Sequence, residues 1–189
     1  MNLNQKTVLF LGSSVTYGAA SGGVSFADLM AQRCGLTCIK EAVSGTTLAD
    51  IEDASYVSRL KKVDPSTKVD LFICQLSTND ASSKRIKDFS QTEDAIRFIL
   101  EYTKETFRCP IVFYTGTYFE SEKYAAMVKL LYALQKEYDF HILDLYNDEE
   151  MLSVSKEDYA RYMSDHVHPT LLGYRDWWTP KFIAFCEKI

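Results

Sequence analysis

The sequence predicts an α/β fold: a doubly wound parallel sheet of five strands with helices on both faces. Three observations lead there. Short β-branched and aromatic runs alternate with longer helical patterns, the order expected of successive β-α-β units. Most of the short runs are continuously apolar, which suits strands buried on both faces. The chain has 189 residues, enough for one domain spanning 1–189 whose core needs no disulfide or metal to fold.

The predicted strands are Thr7–Leu11, Thr37–Val43, Val69–Leu76, Ile111–Thr115 and His141–Leu145. The apolar stretch of the first runs straight into Gly12-Ser13-Ser14 and is too short for a signal peptide. It reads as a strand, and the protein as cytoplasmic. Ser25 with Asp28 forms a capping box that opens a helix. Thr47 with Asp50 and Ser90 with Glu93 repeat the pattern and predict two more helix starts. Tyr124, Met127, Val128, Leu131 and Tyr138 fall close to helical spacing and predict a core-facing stripe. Near the C-terminus, Thr179-Pro180 either caps a second short helix or kinks one long one. Right-handed crossovers follow from the fold class.

Composition narrows the function classes. With 26 acidic and 21 basic residues the net charge is −5, which argues against a nucleic-acid or anionic-membrane surface. No apolar run approaches the roughly 20 residues of a membrane span. Cys34, Cys38, Cys74, Cys109 and Cys186 are odd in number and contain no C-x-x-C, so they read as free thiols in a reducing compartment. No metal site is expected: Cys34 and Cys38 lack further ligands nearby. Lys61-Lys62 and Lys84–Lys87 read as solvated surface. The 12 tyrosines and 11 phenylalanines exceed what one core hides, so some are expected to line a cleft.

In such sheets ligands bind beyond the carboxyl ends of the strands. Gly12-Ser13-Ser14-Val15-Thr16-Tyr17-Gly18 follows the first strand, Ser44-Gly45-Thr46-Thr47 the second and Ser77-Thr78-Asn79-Asp80 the third. Asp165-His166-Val167-His168-Pro169 follows the fifth, late in the chain. Acyl transfer needs a hydroxyl, a base to take its proton, a group to orient the base, and donors for the oxyanion. Ser14 is the candidate nucleophile, His168 the base and Asp165 the orienting acid. Gly45 offers a bare backbone N–H that no Cβ shields, and Asn79 a side-chain amide. Taken singly, each has an ordinary structural role as a helix cap, a turn glycine or an Asx turn. Their order at strand ends carries the argument.

At these four blocks the sequence resembles the SGNH, or GDSL-type, hydrolases. The blocks span nearly the whole chain. The resemblance implies a flavodoxin-like three-layer α/β/α sandwich, with Ser14, Asp165 and His168 as the triad. It implies an oxyanion hole made of the backbone N–H groups of Ser14 and Gly45 and the side chain of Asn79. Members are esterases, lipases, thioesterases and acetyl-carbohydrate esterases, generally without metal or cofactor. Both the family pattern and the i, i+3 spacing select His168 over His166, which sits beside Asp165 and points away from it in an extended loop. Asp144, at the end of the fifth strand, is a second candidate for the acid. Two positions depart from the family: Ser13 stands where it has Asp, and Ser77 where it has Gly. The first change puts support of the nucleophile turn in question. The second adds a side chain that narrows the approach to Asn79 or requires a different loop.

The expected partner is a small-molecule ester, with no nucleic acid and no integral membrane segment. Short connections between the blocks leave no obvious lid. This favours acetyl or short acyl groups, on a carbohydrate or a lysolipid. Tyr17, Tyr118 and Trp177 are candidate substrate-binding residues, with Phe119 and Trp178 as further wall candidates; at least one tryptophan is expected to pack in the core. Two other readings remain open. The loop after the first strand also suits a flavodoxin-like module that cradles a flavin or phosphate. The Ser13 and Ser77 departures also suit a hydrolase-like protein that has lost catalysis and binds instead.

Overall fold

The computed structural model describes every residue, Met1–Ile189. The strands β1 (Thr7–Gly12), β2 (Thr37–Ala42), β3 (Leu71–Gln75), β4 (Ile111–Tyr114) and β5 (His141–Leu143) form one all-parallel sheet in the order β2-β1-β3-β4-β5. The continuous apolar runs are explained by two cores of similar size, 25 and 22 buried residues. Leu9, Leu11, Phe72, Cys74 and Phe113 feed one core; Val8, Phe10, Leu71, Ile73 and Tyr114 feed the other. Successive side chains point to opposite faces, so a strand between two cores is apolar at every position. The edge strand β2 carries Lys40 and Glu41, and its residues are exposed or half-buried.

The helices are α1 (Ser14–Tyr17), α2 (Phe26–Cys34), α3 (Tyr56–Leu60), α4 (Thr78–Ser82), α5 (Ser90–Thr106), α6 (Glu122–Leu134), α7 (Glu149–Leu152), α8 (Lys156–Tyr162), α9 (Leu171–Gly173) and α10 (Thr179–Cys186). α3, α5 and α6 cover one face; α2, α7 and α10 cover the other. Phe26 of α2 stacks on Phe182 of α10 with ring centroids 3.9 Å apart.

Local signals succeed where no distant group competes. Ser25 caps α2 as expected: its hydroxyl accepts the Ala27 N–H at 3.2 Å, and Asp28 accepts the Ser25 N–H at 2.7 Å. No helix starts at Thr47. The backbone N–H groups of Leu48 and Ala49 go instead to the carboxylate of Asp80, at 2.8 and 3.0 Å, and the next helix, α3, begins at Tyr56, capped by Ser55. α5 does begin at Ser90, but the expected box is absent: Asp88 accepts the Ser90 N–H and hydroxyl, and Glu93 pairs with Arg97. α6 stops at Leu134; Tyr138 lies beyond it under the Arg97 guanidinium. Cys34 ends α2 and Cys38 lies in β2.

The C-terminal alternatives resolve as one continuous helix with a π turn, Tyr174–Trp178, joining α9 to α10. Thr179 N–H bonds to the Tyr174 carbonyl. Pro180 has no N–H and its ring crowds the preceding turn, and the wider π turn absorbs both defects.

Candidate active site

The parallel register brings the carboxyl ends of the strands level: Gly12 of β1 pairs with Ala42 of β2, and Leu11 with Cys74 of β3. From β1 the chain order proceeds to β2 on one side and to β3 on the other. The crevice at this switch point is where such sheets bind ligands, and three predicted blocks open onto it.

Beyond β1, Ser13 and Ser14 make a tight turn into α1. Its fastening comes from β3. Gln75 Oε1 accepts the Ser13 N–H at 2.9 Å, the Thr16 N–H at 3.3 Å and the Thr16 hydroxyl at 2.9 Å. Support for the turn therefore does not depend on the missing aspartate at Ser13. The Ser13 hydroxyl is buried and makes no hydrogen bond. Gln75 thus occupies two of the N–H groups a phosphate would use, those of Ser13 and Thr16. Ser14, as the first residue of α1, keeps an N–H with no intrahelical partner. Gly12 is required sterically: a Cβ there would sit 1.7 Å from Thr16 Oγ1 and 2.8 Å from Gln75 Oε1. Gly12→Ala is expected to cost about 1–3 kcal/mol of stability through overpacking. Turnover should fall as the turn shifts, with thermal melting and ester hydrolysis as the measurements.

The structure brings Ser14, His168 and Asp165 into one hydrogen-bonded line. His168 Nε2 lies 2.8 Å from Ser14 Oγ, and His168 Nδ1 lies 2.8 and 3.0 Å from the two Asp165 oxygens. An i, i+3 pair meets because the loop is closed tightly. Met163 and Pro169 form an antiparallel bridge, and Ser164 N–H donates to the His168 carbonyl at 2.8 Å. Asp165 Oδ1 also accepts the N–H groups of Val167 and His168, both at 2.7 Å. Burial alone would raise the Asp165 pKa, but these donors outweigh it and hold the carboxyl below its ordinary value. Tyr174 OH donates to the Val15 carbonyl at 2.7 Å, tying the C-terminal helix to the nucleophile turn. His166 is exposed and Asp144 is elsewhere: Asp144 accepts from Thr115, Tyr132, Tyr146 and Asn147 and turns the chain after β5. That turn ends β5 at Leu143, short of the expected Leu145.

Gly45 has φ +82° and an N–H that donates to no protein group. A Cβ there would meet nothing within 4 Å. Its left-handed backbone conformation, rather than crowding by the protein, favours glycine. One hydrogen of the Asn79 amide goes to the Thr46 carbonyl at 2.8 Å, which leaves the second free. Ser77 does not narrow the approach to Asn79: its hydroxyl caps α4 by accepting the Asp80 N–H at 3.3 Å. Asp80 is fully buried and also accepts the Thr92 hydroxyl. Burial pushes its carboxyl above the ordinary value, opposed by the donors from Ser77, Ala49, Leu48 and Thr92.

Sequence reasoning missed Gln75, Asp80 and Arg59 as supports. A glutamine inside the apolar run of β3 was the available signal, since a buried amide needs partners.

Tyr118 and Trp177 line a cavity of about 260 Å³ with Met151, Leu152, Val154 and Tyr159. Tyr17 is exposed at the end of α1, beside Lys40. Trp178 is not a wall residue: it is fully buried against Phe26 and Phe182. Phe119 packs on Tyr124 and Tyr146. A larger cavity, about 460 Å³, opens at the amino ends of β4 and β5, the opposite end of the sheet. No group of three His, Cys, Asp or Glu side chains converges to hold a metal, and no helix is long and apolar enough to cross a membrane.

A five-stranded parallel sheet with Ser, His and Asp aligned at its carboxyl end defines an SGNH-type carboxylic ester hydrolase. The chain belongs to the GDSL-like lipase/acylhydrolase family, whose profile matches residues 10–175. Solved structures share the fold. A protein from Lactobacillus plantarum is 18% identical, with a TM-score of 0.79 and coverage of 98% of both chains. A carbohydrate acetylesterase family member from Sinorhizobium meliloti is 18% identical, with a TM-score of 0.72 and coverage of 97% of this chain and 98% of that one. The aryl esterase of M. smegmatis is 16% identical, with a TM-score of 0.71 and coverage of 97% of each chain. No curated relative matches the sequence.

Proposed function

We propose that the protein hydrolyses acetyl or short-chain acyl esters, sugar acetyl esters among them, through an acyl-enzyme on Ser14. The unbroken hydrogen-bond line from Asp165 through His168 to Ser14 carries this reading. Ser14 Oγ attacks the ester carbonyl as its proton passes to His168 Nε2. Asp165 holds the proton on Nδ1 and stabilises the imidazolium. The tetrahedral oxyanion takes the N–H groups of Ser14 and Gly45 and the free hydrogen of Asn79. His168 then gives its proton to the departing alcohol. Water enters, loses a proton to His168 and releases the acid, restoring Ser14.

The short connections between the blocks support a small acyl or alcohol group. The fold shared with a carbohydrate acetylesterase family member and an aryl esterase supports esters of sugars and phenols. All five cysteines are free thiols, which supports a reducing, cytoplasmic setting. Labelling by a fluorophosphonate probe, mapped to Ser14, tests the nucleophile. A series of p-nitrophenyl esters from acetate to octanoate, run beside acetylated sugars, tests the substrate class. Acetate or butyrate is expected to give the highest kcat/KM. An unlabelled Ser14 sinks the mechanism, and a series that rises to octanoate sinks the short-chain reading.

A further inference from the structure

We propose that Arg59 is a positioning residue for the oxyanion hole, its buried guanidinium locking the nucleophile turn to the loop that carries Gly45 and holds Asn79. The inference rests on the hydrolase reading above. Arg59 lies on α3, only 6% exposed. Its Nη2 donates to the Gly12 carbonyl at 2.7 Å and to Thr46 Oγ1 at 3.2 Å. Nη1 donates to the Glu41 carbonyl, and Nε to the Ala54 carbonyl at 3.0 Å. The Tyr56 ring lies against the guanidinium, 5.2 Å from its carbon. No carboxylate forms an ion pair with it, and every acceptor is a carbonyl or a hydroxyl.

These acceptors have a common property. Gly12 precedes Ser14 by two residues. Thr46 follows Gly45 directly, and its carbonyl is the group that holds Asn79 at 2.8 Å. Thr46 Oγ1 in turn donates to Val43 O at 2.7 Å, closing the turn around Gly45. One side chain thus reaches the chain segments that set all three oxyanion donors. A buried cation without a counter-ion is costly to keep, so a core packed for stability alone would favour an apolar residue here. The planar fork of arginine spans several acceptors at fixed angles, which the single ammonium of lysine does not reproduce.

The test uses the full chain with Arg59→Lys, Arg59→Met and Arg59→Ala, p-nitrophenyl acetate as substrate, and active sites counted by fluorophosphonate titration. Loss of a whole oxyanion donor typically lowers turnover on the order of 10²–10³, and a displaced one less, so kcat per titrated site is expected to fall on the order of 10–10². KM should stay within about threefold of wild type, since the contact affects the transition state. Guanidinium chloride at tens of millimolar, on the order of a weak ligand's Kd, should restore part of kcat to Arg59→Ala and leave wild type unchanged. A folded Arg59→Met with wild-type kcat per titrated site overturns the proposal. So does a loss of activity that only follows a loss of titratable sites. Should none of the Arg59 variants fold, Thr46→Val decides: a lower kcat at constant KM supports the proposal, and an unchanged kcat overturns it. A wild-type chain that neither turns over ester nor takes the label overturns the hydrolase reading and this one together.

Discussion

Ser14→Ala is expected to abolish ester hydrolysis, lowering kcat on the order of 10⁵–10⁶ as loss of a triad nucleophile does elsewhere. The fold should survive. Ser14 is small, and its side chain has one hydrogen-bond partner, His168 Nε2 at 2.8 Å. That partner keeps both Asp165 contacts after the change, so the melting temperature should barely move. The two residues act as one unit in the proposed mechanism. Adding His168→Ala to Ser14→Ala is therefore expected to cost little more than the single change. Turnover of p-nitrophenyl acetate, beside thermal melts of each variant, measures both expectations. Wild-type-like turnover by Ser14→Ala would remove Ser14 from the mechanism. Additive losses would mean that His168 works apart from it.

Asp165→Asn is expected to lower kcat on the order of 10⁴, through the wrong histidine tautomer. Asp165 now accepts from His168 Nδ1 and from two backbone N–H groups. An asparagine has one acceptor oxygen. If that oxygen stays with the backbone donors, its NH₂ faces Nδ1 and drives the ring proton to Nε2, where Ser14 must deliver its own. The same carboxylate makes stability depend on pH. Its folded pKa lies below the ordinary value because the Val167 and His168 donors outweigh burial. Between the folded and the unfolded pKa, the latter near 3.9, the unfolded chain binds more protons, so stability rises with pH. This contribution is fully present above the unfolded value and is lost as pH falls through the folded one. The carboxylate side chain is 55% exposed, so solvent screening keeps the effect small. Melting curves of wild type and Asp165→Asn should differ most above about pH 4 and converge in strong acid. Parallel curves across that range would contradict the assignment, as would turnover by Asp165→Asn within tenfold of wild type.

The strands were legible because burial on both faces writes itself as an apolar run, and all five lie within two residues of their expected ends. β5 overran to Leu145 because Leu145 is a core residue that follows the turn made by Asp144. The helix starts divide on one physical point. Ser25 caps α2 because its partners are its own neighbours. Thr47-Leu-Ala-Asp50 shows the same pattern, yet Asp80, more than thirty residues away, takes the donors a helix would have left to Thr47. A capping signature reports what a segment can do alone and cannot report a buried carboxylate arriving from another helix, α4.

The candidate site divides in the same way. Ser14, Gly45, Asn79, Asp165 and His168 could be nominated from sequence because chemistry restricts the residue types and strand ends restrict their places. Gly45 is nominated by sequence for its bare N–H, and the structure adds a second reason for glycine, a φ of +82°. Trp177 and Trp178 are adjacent and equally apolar, and only helix packing sends the first toward a cavity and the second into the core. By itself the sequence determined the layered α/β class and the short blocks whose side chains could do acyl chemistry, since both follow from local pattern. The tertiary structure alone decided what holds those blocks in register: Gln75 beneath the nucleophile turn, Asp80 beneath the glycine loop and Arg59 between them. Each is a buried polar group whose partners are distant in the chain. Its energy depends on satisfying hydrogen bonds in three dimensions, which no spacing along the chain records.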